Sequence, residues 1–145
     1  MKRVDCLILA ILLTALRPDL PAQDYGRRDT DFEITVTERS EFPPGYDAHL
    51  ESTALYPCTG YDIRAGVSWN KDTLTIDIGG FRSPTPCITL SAPATGSVYL
   101  GDIGMGNYVL RIRYRGEADL HRIRIMQDRV QVREIRSEFT SIQWK

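Results

Sequence analysis

The sequence predicts an all-β protein: a single antiparallel β-sandwich, stapled by one intradomain disulfide and preceded by an N-terminal signal peptide. Three observations carry this expectation. Roughly eight short runs alternate apolar and polar residues, and Pro- and Gly-rich turns separate them. No run shows the periodicity of an amphipathic helix. Two cysteines, Cys58 and Cys87, bracket the clearest strand pair.

The chain has 145 residues, enough for one domain with a sizeable core. Hydrophobic residues make up 42% and charged residues 26%, as in ordinary soluble domains. The net charge of −1 argues against a dedicated nucleic-acid binder, whose phosphate contacts demand a basic surface.

Residues 1–22 read as the signal peptide. Lys2 and Arg3 give the positive start, and Leu7 to Leu16 is an apolar run. That run is short for a bilayer span, which needs about 20 residues; an uncleaved anchor is the rival reading. Leu20-Pro21-Ala22 offers a cleavage site, with Arg17 and Asp19 unusual so close to it. Residues 23–31 form a polar, flexible lead-in, and residues 32–145 the sandwich domain. Export disposes of Cys6 with the signal and leaves Cys58 and Cys87 as an even pair in an oxidising space. The expected location is secreted or periplasmic, with no stable membrane anchor after cleavage.

Phe32, Ile34 and Val36 alternate with polar residues as a first strand, and Phe42-Pro43-Pro44-Gly45 ends it. Ala48 to Tyr56 is a second, weaker strand. In the central hairpin Tyr61, Ile63, Ala65, Val67 and Trp69 share a face with Leu74, Ile76 and Ile78. Keeping both sets inward allows a loop of two or four residues, with Trp69 opposite Asp72, Val67 opposite Leu74 and Arg64 opposite Asp77. Shorter runs follow: Ile88 to Leu90, Val98 to Ile103, Tyr108 to Tyr114, a return carrying Ile123 and Ile125, a strand begun by Val130 and Val132, and a last one over Ser137 to Lys145. Gly116 to Asp119 is read as a turn.

The stretch from Val98 to Ile125, with its Gly106-Asn107-Tyr108 step into Leu110-x-Ile112-x-Tyr114, resembles immunoglobulin-like and prealbumin-like extracytoplasmic domains. The resemblance covers under a quarter of the chain. It implies a sandwich fold and carries over no functional residue.

Catalytic patterns are each met by a plainer reading. Ser68-Trp69-Asn70-Lys71 matches the Ser-x-x-Lys pattern of penicillin-recognising enzymes, which requires serine and lysine one helical turn apart; here they sit at a hairpin tip. Gly101, Gly104 and Gly106 lie between strands, not at the strand-to-helix turn that cradles phosphate. His49 and His121, the only histidines, lack partners at metal-ligand spacing and read as surface or satisfied structural groups. Asp62, Asp72, Asp77 and Asp102 read as strand and turn positions. No enzyme, cofactor or metal site is expected.

One feature stands apart. Arg111, Arg113, Arg122 and Arg124 all point away from the inward residues of a late hairpin, as a candidate binding face. Pairing the inward residues of that hairpin puts at least one arginine opposite another, and like charges so placed are destabilising. Acidic residues on a neighbouring strand would offset them; so would an acidic protein or a surface polysaccharide. The leading expectation is a non-enzymatic interaction or accessory module. The alternatives are an inhibitor of an extracytoplasmic hydrolase, inserting Arg82 to Pro86 or Gly104 to Asn107, and an assembly subunit whose Thr140 to Lys145 segment completes a neighbour's sheet.

Overall fold

The computed structural model describes residues 31–145, so the signal peptide, Cys6 and all but the last residue of the lead-in lie outside the described residues. Nine strands follow in order: β1 (Phe32–Arg39), β2 (Gly45–Tyr56), β3 (Asp62–Asn70), β4 (Thr73–Arg82), β5 (Ala92–Gly101), β6 (Gly106–Tyr114), β7 (Glu117–Ile125), β8 (Val130–Arg136) and β9 (Thr140–Trp144). Each is laid down by period-two alternation, which puts one set of side chains on the core side. β1 shows it most simply: Phe32, Ile34 and Val36 are buried, while Glu33 and Thr37 are exposed.

All nine strands join one sheet in the order β8-β7-β6-β4-β3-β5-β2-β1-β9. This corrects the expectation of a purely antiparallel sandwich. β1 pairs with β9, β4 with β6 and β3 with β5 in parallel; the remaining ladders are antiparallel. Alternation decides which face of a strand is buried, not which strand lies beside it, and so parallel neighbours left no mark in the sequence. The sheet curls until its two edge strands, β8 and β9, touch, which makes it nearly a barrel.

The interior is filled. Phe32, Ile34, Leu50, Leu74, Ile76, Leu100, Leu110, Ile112 and Ile123 are the largest apolar side chains sealed from solvent. Phe32 of β1 meets Tyr114 of β6 edge-on with ring centroids 5.0 Å apart, so opposite walls are in direct contact. Sealing each such side chain contributes about 1.5–3 kcal/mol.

Two junctions show how the sheet is assembled. β3 and β5 form a ladder at a single pair, Asp62 and Thr95, with the Thr95 N–H donating to the Tyr61 carbonyl at 3.0 Å. Next to it Gly96 admits no side chain: a Cβ there would stand 2.5 Å from the Ile63 carbonyl oxygen. The irregularity between Glu51 and Leu55 is closed by buried Ser52, whose hydroxyl accepts from the Ala94 N–H at 2.8 Å and donates to the Ala54 carbonyl at 2.9 Å.

The β3–β4 hairpin keeps the expected face but shifts the expected register by two residues. Its two-residue turn is Lys71-Asp72, Trp69 lies opposite Leu74, and Val67 lies opposite Ile76. A shift of two preserves every inward residue, so alternation could not exclude it. With one further residue taken up by the irregularity between Arg64 and Ala65, Arg64 faces Gly80 rather than Asp77. Ile88 to Leu90 forms no strand; Ile88 makes one isolated bridge to Thr59. Cys58 and Cys87 are bridged there, pinning that long loop to the end of β2.

Candidate functional site: an arginine face over a buried latch

Strands β6, β7 and β8 carry contrasting chemistry on their two sides. Outward, Arg111, Arg113, Arg122 and Arg124 are all exposed. The structure thus brings the four sequence-selected residues onto adjacent strands. Their register differs from expectation. Arg111 lies opposite Leu120, Arg113 opposite Ala118, Arg122 opposite Val109 and Arg124 opposite Asn107, so no arginine faces another between β6 and β7. The expected like-charge pair within this hairpin is therefore absent; a different one, not read from the sequence, sets Arg122 opposite Arg133 of β8.

Relief from neighbouring acids is partial. β4 runs parallel to β6 and sets Asp77 opposite Arg113, where the pair closes to 3.2 Å. Arg111, Arg122, Arg124 and Arg133 have no ion-pair partner among the described residues. Their side of the sheet is a surface of fixed positive charge held on a rigid ladder. Guanidinium forks suit carboxylates and other planar oxyanions.

Inward, β7 presents Asp119, which is fully buried, and His121, 3% exposed. Asp119 oxygens accept the backbone N–H groups of Glu138 at 2.9 Å, Phe139 at 3.0 Å and Thr140 at 2.8 Å. The Thr140 hydroxyl adds a fourth donor at 2.7 Å. The Ser137 hydroxyl donates to the Thr140 carbonyl and lies 3.5 Å from Asp119 Oδ2. One carboxylate therefore gathers the whole β8–β9 turn and ties it to β7. Where the sheet edges meet without a ladder between them, this latch holds the seam.

The hydroxyl of Thr140 has one hydrogen, and Asp119 takes it. His121 Nε2, 3.1 Å from the same oxygen, must then be the donor, which leaves Nδ1 without a proton in the neutral ring. Burial alone would push the Asp119 carboxyl up, but the Phe139, Glu138 and Thr140 donors outweigh it and hold its pKa below the ordinary 3.8. Burial holds His121 below its ordinary 6.5, against the opposing pull of the Asp119 and Glu134 carboxylates.

This Asp–Thr–His chain is not a hydrolytic triad. In a triad the imidazole stands between hydroxyl and carboxylate; here the hydroxyl stands between them and its proton is already committed to Asp119. The arrangement supports the backbone and leaves no activated nucleophile.

The other sequence candidates stay apart. Ser68 points outward from β3 and Lys71 sits in the turn beyond it. Gly101, Gly104 and Gly106 line the β5–β6 connection, which leads into a strand. His49, on the outer wall, contacts Ser97 Oγ at 3.1 Å through Nδ1. Asp62 pairs with Arg82 at 3.1 Å and Asp77 with Arg113. Asp72 and Asp102 belong to separate loops. Among the described residues no group of three His, Cys, Asp or Glu side chains is placed to hold a metal ion. The C-terminal segment is engaged in its own sheet, as β9 against β1.

Asp119 was missed because Gly116 to Asp119 reads as a turn. The turn is only Arg115-Gly116, and the strand resumes at Glu117. The signal was present: running the inward phase of Ile123 and Ile125 backward lands on His121 and Asp119. No protein-family model, curated protein or solved structure matches this chain.

Proposed function

We propose that this is an exported, non-enzymatic interaction module that captures an acidic partner on the outer face of β6, β7 and β8. The observation that carries the reading is the set of exposed arginines, Arg111, Arg122 and Arg124, left without a carboxylate among the described residues. The Cys58–Cys87 bridge fits an oxidising compartment, and Lys2, Arg3 and the apolar run after them fit an export signal. The partner class is a carboxylated or sulfated surface: an acidic protein or polysaccharide.

The test is capture of a carboxylated polysaccharide and of an acidic protein on immobilised full-length chain, eluted by a salt gradient. Arg111→Glu with Arg122→Glu should weaken capture at least about tenfold at low salt, equivalent to about 1.4 kcal/mol. Arg113→Gln, whose charge is already shared with Asp77, should change it much less. Unchanged elution of the double variant would remove the arginine face from the account.

A further inference from the structure

The outer wall carries two like-charged cross-strand pairs of opposite sign. On β7 and β8, Arg122 stands opposite Arg133. On β1 and β2, Glu33 stands opposite Glu51, and all four side chains lie on the outer face. None of the four has an ion-pair partner among the described residues. Like charges directly opposite each other destabilise an antiparallel ladder, so both pairs are unfavourable where they stand.

The two pairs also match in shape. Each is spaced by an antiparallel ladder, which sets directly opposed Cβ atoms about 4.5–5.5 Å apart. The guanidinium pair on one copy and the carboxylate pair on another thus start from Cβ positions of the same spacing. Arg124 and Arg111 extend the basic side along β7 and diagonally onto β6. On their far sides the glutamates face hydroxyl groups, Thr95 opposite Glu51 and Ser141 opposite Glu33, and His49 precedes Glu51 along the outer face of β2. A net charge of −1 leaves little overall repulsion between copies.

We propose that the Arg122–Arg133 pair docks on the Glu33–Glu51 pair of a second copy of this chain. This rests on the reading that the arginine face takes a carboxylate-bearing partner, and it names that partner. The two pairs occupy different parts of the wall, separated by β9 and the seam. Each copy can offer its arginines and its glutamates to the same neighbour, across a two-fold axis near β9, or to two different neighbours. The first arrangement closes as a dimer; the second propagates into open chains or closes into rings.

Sedimentation velocity of the full-length chain over a concentration series, at low and high salt, tests it. The wild type should associate as concentration rises at about 20 mM salt and be monomeric near 1 M, where the screening length falls to about 3 Å. Arg122→Glu with Arg133→Glu makes both forks acidic; Glu33→Arg with Glu51→Arg makes both basic. Each double variant alone should remain monomeric, and an equimolar mixture of the two should associate again. Wild-type protein that is monomeric at low salt, association that survives either double variant, or a mixture that stays monomeric would each overturn the proposal. Circular dichroism checks that both variants fold; if one does not, Arg122→Gln and Glu51→Gln replace them, each expected to reduce association. If self-association fails while Arg111→Glu with Arg122→Glu still weakens polysaccharide capture, only this proposal falls; if capture is also unmoved, both readings fall.

Discussion

Removing the Asp119 carboxylate should open the seam between β8 and β9. The Asp119→Ala variant strands three backbone N–H groups and the Thr140 hydroxyl. Glu138 is exposed, so water can take over its N–H; Phe139 and Thr140 are each 8% exposed, and their N–H groups stay largely without water. A buried donor left unpaired costs about 1–3 kcal/mol, so two of them with the hydroxyl give about 3–5 kcal/mol lost. Asp119→Asn keeps one acceptor oxygen but turns an NH₂ toward the backbone donors, for a loss of about 2–3 kcal/mol. Urea denaturation followed by tryptophan fluorescence measures the loss. Amide hydrogen exchange locates it, and Phe139 and Thr140 should lose protection first. If Asp119→Ala costs under about 1 kcal/mol and exchange at those two amides is unchanged, the latch does not hold the seam.

The same latch sets the acid response. The pKa of His121 is lower folded than unfolded, so the unfolded chain takes the proton first; stability is full above about 6.5 and declines as pH falls below it. His121→Gln should flatten the stability profile below about pH 6.5, as read by denaturation at successive pH values. Asp119 is also depressed, so its contribution persists above its ordinary 3.8 and disappears only as pH falls through the lower folded value. Replacing both Cys58 and Cys87 by serine should cost about 3–4 kcal/mol, since the bridge closes a separation of 29 residues; a thermal melt with and without reductant reads it. Gly96→Ala should destabilise by at least about 2 kcal/mol, because the new methyl meets the Ile63 backbone; a cost near zero would mean β3 and β5 can part freely.

Much of the architecture was legible because burial writes itself into a strand every second residue. Phe32, Ile34 and Val36, or Leu110 and Ile112, announce their face without reference to any neighbour. The pairing of Cys58 with Cys87 was legible by count, once Cys6 was assigned to an export signal. The arginine face was legible by phase, since Arg111 and Arg113 alternate with core residues. Register was not. Trp69 opposite Asp72 and Trp69 opposite Leu74 bury the same side chains, and the choice between them rests on the two-residue turn at Lys71-Asp72. The latch was hidden for a different reason. Asp119 and Thr140 are 21 residues apart, and only closure of the curled sheet makes the one a partner for the other.

By itself, then, the sequence determined an all-β chain, the inward and outward side of most strands, a single cross-link and an outward row of arginines. Each of these depends on the local period of two or on simple counting. Tertiary structure alone decided that the strands share one mixed sheet, that Asp77 neutralises Arg113, and that Arg122 meets Arg133. It also decided that a buried carboxylate, rather than a ladder, holds the two edges together. Those outcomes depend on which strands become neighbours, and that is settled by packing the interior of the whole sheet rather than by any segment of it.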